Sequence, residues 1–104
     1  MSLQAYWAYA FVCDEPIEAL LAILNAAGPW PWTLRDSHWY GDYLNTRPVR
    51  GVRVRIHEWE ASRYTALLQT EQDSEAEQAA IDAIMRALLE RIEARDVVDE
   101  EPYD

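Results

Sequence analysis

The sequence predicts an α+β domain: a mostly antiparallel sheet of about four strands with two helices on one face. Two kinds of periodicity carry this reading. Residues 52–59, "VRVRIHEW", alternate cleanly, with Val52, Val54 and Ile56 on one side and Arg53, Arg55, His57 and Trp59 on the other. That is the pattern of a half-buried strand. Two other segments repeat at helical spacing, through Ile17, Leu20, Leu21 and Leu24, and through Ile81, Ile84, Met85, Leu88 and Ile92, the stripe of a helix lying on a core. The element order β-α-β-β-β-α fits a two-layer sandwich.

Each element has its own signals. Residues 4–13, "QAYWAYAFVC", are aromatic-rich and short, and "DEP" ends them, which reads as a strand apolar on both faces. In "DEPIEALLAILNAAGP" Asp14 can cap a helix, Glu15 and Glu18 suit its positive end, and Pro16 is tolerated in its first turn. Gly28 and Pro29 stop it. Between Pro29 and Arg47, "WTLRDSHW" and "WYGDYL" have strand composition, as one bent strand or two short ones, with Gly41 at a bend. "NTRPVRG" is a turn, and "ASR" connects residues 52–59 to a further strand, "YTALLQTE". Ser74 and Glu77 match a capping box, and the helix they open is expected to run to about Arg95. Residues 1–95 are expected to form one domain, and 96–104, acidic and uncapped, a frayed tail.

Half of the 104 residues are hydrophobic, enough for a buried core at this length. The only cysteine, Cys13, cannot close a disulfide within the chain. No basic, signal-like start and no run of 18 apolar residues is present, so a cytoplasmic protein that does not cross a membrane is expected. All nine basic residues are arginine and alanine is abundant, which reads as the coding bias of a GC-rich, bacterial genome. The net charge is −10, concentrated in residues 71–104, where twelve acids meet three arginines. Such a field repels phosphate backbones, so no nucleic-acid partner is expected, and it suits a basic protein.

Residues 28–44 hold three tryptophans and two tyrosines, Trp30, Trp32, Trp39, Tyr40 and Tyr43. With Arg53, Arg55, His57 and Trp59 they form the expected binding surface, since exposed aromatic area marks interfaces. The first strand offers either Tyr6, Ala8, Ala10 and Val12 or Trp7, Tyr9 and Phe11 to the helices. The small set would let helices approach closely, so the rings are expected on the open face.

Catalytic patterns are thin. Ser37 and His38 are adjacent and point apart on an extended chain, and three glycines form no phosphate loop. Asp36, His38 and Asp42 are polar candidates for a cleft between residues 29–47 and the sheet. With His57, Glu58 and Glu60 they contain the residue types of a metal site without a known spacing, and neither a metal nor another cofactor is expected. A non-enzymatic interaction protein ranks first: an inhibitor or immunity-type binder of a basic partner, using the rings and the acidic helix. The alternative is a small-molecule-binding domain or small enzyme using that cleft. A homo-oligomer burying the aromatic face is compatible with both.

Overall fold

Alternating residues of the first strand choose the side of the sheet on which the core forms. The computed structural model of the chain describes residues 5–37, 41–71 and 75–100. They form β1 (Ala5–Val12), α1 (Ile17–Ala27), β2 (Thr33–Ser37), β3 (Gly41–Thr46), β4 (Val52–Glu60), β5 (Arg63–Thr70), α2 (Glu75–Arg91) and β6 (Arg95–Glu100). The strands make one six-stranded antiparallel sheet in the order β2-β3-β4-β5-β1-β6. The fold is therefore α+β with two helices, and the sheet has six strands where about four are expected.

The two additional strands have separate causes. Residues 33–37 and 41–46 pair as two short antiparallel strands, with Gly41 in the left-handed region at φ 70°. Residues 95–100 pair with β1 instead of fraying. Helix α2 stops at Arg91, where Glu93 takes φ 58° and Ala94 N–H donates to Leu89 O at 2.9 Å. The chain then turns back along β1, and Arg95 Nη2 donates to Asp14 Oδ1 at 2.6 Å. An edge strand has one pairing partner and open solvent beyond it, so the charges of "RDVVDE" are tolerated there and discourage further pairing.

Val52, Val54 and Ile56 are buried, as the alternation of β4 predicts. Their pairing with β5 places Leu68 beside Val54 and Ala66 beside Ile56, and β1 adds Tyr9 beside Ala66 and Phe11 beside Tyr64. These residues form one continuous cluster with Leu20 and Leu24 of α1 and with Ile81, Met85, Leu88 and Leu89 of α2. Phe11 and Tyr64 stack with centroids 5.5 Å apart, and the Tyr64 hydroxyl donates to Glu15 O at 2.7 Å. Trp7, Tyr9 and Phe11 thus face the helices, contrary to expectation. Ala8 and Ala10 are on the other side of β1. Large rings fill the gap between sheet and helices, and Ala66 opposite Tyr9 makes room for them.

Helix α1 begins at Ile17 after Pro16, with no side-chain cap, and Gly28 closes it by donating to Leu24 O at 3.1 Å. Asp14, expected as the cap, is engaged by Arg95 instead. Ser74, the expected cap of α2, lies outside the described residues. Strands β1 and β2 are separated in the sheet by β5, β4 and β3. The connection through α1 therefore spans the sheet instead of joining neighbouring strands. Among the described residues no helix is long and apolar enough to cross a membrane.

Cys13 is buried, and its thiol donates to Ile92 O at 3.2 Å. Burial pushes its pKa up, outweighing the lowering contributed by a backbone hydrogen bond at Glu15. The native thiol is expected to react with a disulfide reagent at least ~100-fold more slowly than the thiol of the urea-unfolded chain. Stopped-flow absorbance of the released reagent anion measures both rates, and equal rates would contradict the burial.

Candidate binding surfaces

Helical spacing places Gln78, Asp82 and Arg86 along one flank of α2, beside its buried stripe. Strand alternation places Trp7 and Tyr9 on the same side of β1, and pairing adds Asp99 of β6 opposite Tyr9. The three elements meet around Asp82. Its carboxylate accepts from Trp7 Nε1 at 2.9 Å, from Arg86 Nε at 2.9 Å and from the Tyr9 hydroxyl. The Arg86 guanidinium lies over the Tyr9 ring, 4.9 Å from its centroid, and is 3.7 Å from Asp99.

Electrostatics follow from this saturation. Burial opposes ionisation of Asp82, but hydrogen bonds from Tyr9, Arg86 and Trp7 outweigh it and hold the carboxyl below its ordinary range. Tyr9 is pushed up to about 12, chiefly by burial and then by its bond to Asp82. Asp82 is thus a fixed anion whose first task is orienting two rings. Beside it opens a recess of about 530 Å³, lined by Tyr6, Trp7, Tyr9, Glu75, Asp82 and Asp99 among others. Such a volume falls in the range of ~300–1,000 Å³ common for ligand sites. With Arg86 counted, the charged side chains lining it sum to −2. Rings beside surplus carboxylates suit an organic cation.

No family model matches this chain, and no curated protein matches it in sequence.

The side of the sheet away from the helices carries part of the expected surface. Arg53, Arg55 and His57 alternate with the buried residues of β4, as anticipated. Tyr43 of β3 pairs with His57 and stacks on it, with centroids 5.1 Å apart. Trp59 is 58% exposed at a register shift between Glu58 and Glu60, and Arg63 lies 5.7 Å from its ring. Burial, then Arg55 and Arg53, lowers the His57 pKa to about 4.

Other members of the expected site are elsewhere. Trp30 and Trp32 are 6% and 3% exposed and belong to the core, with ring centroids 6.2 Å apart. Their linker is pinned to α1, where Asn25 Oδ1 accepts from Trp32 N–H at 2.7 Å and Asn25 Nδ2 donates to Trp32 O at 3.1 Å. His38, Trp39 and Tyr40 lie outside the described residues. Asp36 and Asp42 pair across β2 and β3, both exposed. His57 pairs with Tyr43, one residue from Asp42, so it projects from the opposite face and cannot join them around one ion. Among the described residues no three potential ligands from His, Cys, Asp and Glu converge. The expected cleft between residues 29–47 and the sheet is displaced by the chain itself, because β2 and β3 are strands of that sheet.

The sequence reading missed Trp7, Tyr9, Asp82 and Arg86 as a unit. The i, i+4 spacing of Asp82 and Arg86 is visible, but their ring partners are more than 70 residues away.

Proposed function

We propose that this chain is a non-enzymatic interaction protein that grips a basic protein partner on the side formed by β1 and the acidic helix α2. The observation that carries the reading is the recess in which Trp7 and Tyr9 meet Glu75, Asp82 and Asp99. An arginine or lysine of the partner would enter among the rings, where a cation over an aromatic face gains about 0.5–2 kcal/mol. Glu75 and Asp99, both exposed, supply the long-range attraction that raises the rate of encounter. Asp82, already occupied by its three donors, keeps the rings in place. The reading is of the inhibitor or immunity type, in which a small acidic protein neutralises a basic one.

The test is titration with an arginine-rich decapeptide, followed by amide chemical shifts at fixed pH. Saturable shifts are expected at residues 6–9, 75–82 and 99. Binding should weaken about tenfold in Trp7→Ala and several-fold in the Glu75→Gln/Asp99→Asn pair. Raising salt should weaken it as well. Shifts spread evenly over the surface, or affinity unchanged in both variants, would overturn the proposal. Arginine amide, run in parallel, separates a protein partner from a small cation: equal affinity per molecule would favour a small-molecule site.

A further inference from the structure

We propose that the recess beside the β3–β4 turn is a binding site for a phosphoryl group, held by the guanidinium groups of Arg47, Arg50 and Arg53. The recess has a volume of about 660 Å³ and is also lined by Val49, Gln69 and Glu71. It is separate from the cation site of the preceding proposal and does not depend on it. The charged side chains around it sum to +2, in a chain whose net charge is −10.

The absence of counter-ions favours a ligand over a merely solvated turn. Arg63, Arg86 and Arg95 each have a carboxylate within 4.0 Å. Arg47, Arg50, Arg53 and Arg55 have none among the described residues; Arg35 and Arg91 also lack one, but only these four are gathered within nine residues of chain, although acids outnumber arginines nineteen to nine. Like charges gathered without counter-ions repel one another, and an incoming anion relieves that repulsion.

The platform beneath these arginines is fixed. Val52 N–H donates to Val49 O at 3.1 Å and closes the turn, while Glu71 N–H donates to Gly51 O at 2.9 Å and ties it to the end of β5. Gly51 supplies φ 83°, a left-handed conformation that a side chain would disfavour. Arg53 is half-buried, and its Nε donates to Asn45 Oδ1 at 3.0 Å. Asn45 and a side-chain hydrogen bond with Tyr43 hold its guanidinium in place beside the recess. Burial, then neighbouring Arg55, lowers the Arg53 pKa, the expected result where positive charge is concentrated.

The ligand class follows from charge and donor geometry. Forked guanidinium donors match the oxygens of phosphate, and a doubly charged oxyanion balances the surplus of the recess. The group could belong to a small phosphorylated molecule or to a phosphorylated side chain, so two probes are needed. Inorganic pyrophosphate and a phosphoserine hexapeptide are each titrated into the labelled protein, with sodium chloride holding ionic strength constant.

At least one probe should produce saturable amide shifts confined to residues 47–53, 69 and 71, and the tighter of the two identifies the source. Arg47→Gln/Arg50→Gln should weaken that probe by about tenfold or more, because each charge-assisted bond removed is substantial. Arg63→Gln, at the other end of β5 and paired with Glu60, should leave binding unchanged. The single variant Arg50→Gln, at an exposed turn position, keeps the test valid if the double variant loses its fold. Shifts from both probes that match those of chloride would overturn the site. So would affinity that survives loss of Arg50 and of the pair.

Discussion

Trp32→Ala is expected to cost about 3–5 kcal/mol of folding stability, whereas Trp59→Ala should cost less than about 1 kcal/mol. The two residues are chemically identical and opposite in environment. Trp32 is 3% exposed, rests against Trp30, and is anchored by the reciprocal bonds of its backbone to Asn25. Its removal leaves a cavity between α1 and the β2–β3 half of the sheet, where rigid neighbours refill it only partly. Trp59 is 58% exposed at a strand irregularity, with the Arg63 guanidinium 5.7 Å from its ring. A Trp32→Phe variant should fall between the two. The Trp32 indole N–H is buried with no partner among the described residues, so losing that polar group adds little to the loss of volume. Urea unfolding followed by circular dichroism reports all three. Similar losses for Trp32→Ala and Trp59→Ala would contradict the division of the tryptophans into core and surface.

That division marks where sequence reasoning succeeds and where it stops. The alternation of β4 identified its buried side because its outward positions are charged, leaving one solution for burial. The stripe of Ile17, Leu20 and Leu24 was legible for a different reason: outside it α1 carries mostly alanine, with Glu18 and Asn25, so the large side chains mark the buried side. In β1 both alternating sets are apolar, so periodicity could not choose a face. The choice depends on volume complementarity with β5, where Ala66 stands opposite Tyr9. Composition around Trp30 and Trp32 indicated ring area without indicating which side of it meets water. β6 was hidden because its two valines, 38% and 56% exposed, bury too little to leave a periodic signature. Its strand state comes from pairing with β1, a long-range fact that no local window contains.

Charge follows the same logic at larger scale. The acid excess of residues 71–104 was visible in the sequence, but its meeting with Trp7 and Tyr9 depends on β1 lying between β5 and β6. The arginines of residues 47–55 were visible as a cluster, and the register places Arg53 and Arg55 on the sheet face opposite the helices. The protein therefore presents charge of opposite sign on two sides, with the rings of β1 nearer the negative one. The two proposed sites differ in lining and answer to ligands of opposite charge, although they adjoin where Tyr6 of β1 pairs with Gln69 of β5.

Acidification should destabilise the protein through His57, with the loss spread between about pH 6.5 and pH 4. In the folded chain burial, then Arg55 and Arg53, lowers the imidazole pKa to about 4, against an ordinary value of 6.5. Above pH 6.5 the ring is neutral in both states and contributes no pH dependence. Between the two values the unfolded chain binds a proton that the folded chain refuses, so stability falls as pH falls. Below about pH 4 both states are protonated and the loss is complete. Its size, allowing for solvent screening of a half-buried ring, is about 1–3 kcal/mol. The surroundings on each side favour this sign: Arg53 and Arg55 flank the ring on β4, Tyr43 stacks on it from β3, and Thr65 is its register partner on β5. Relief of carboxylate repulsion acts in the opposite direction in so acidic a chain, so the wild-type curve alone mixes the two. His57→Phe keeps a ring against Tyr43 and removes the titration. The difference in unfolding free energy between wild type and this variant isolates the imidazole, because the carboxylates are common to both. That difference should shift against the wild type on going from pH 7 to pH 4, and a difference constant across the range would show that the folded ring titrates normally.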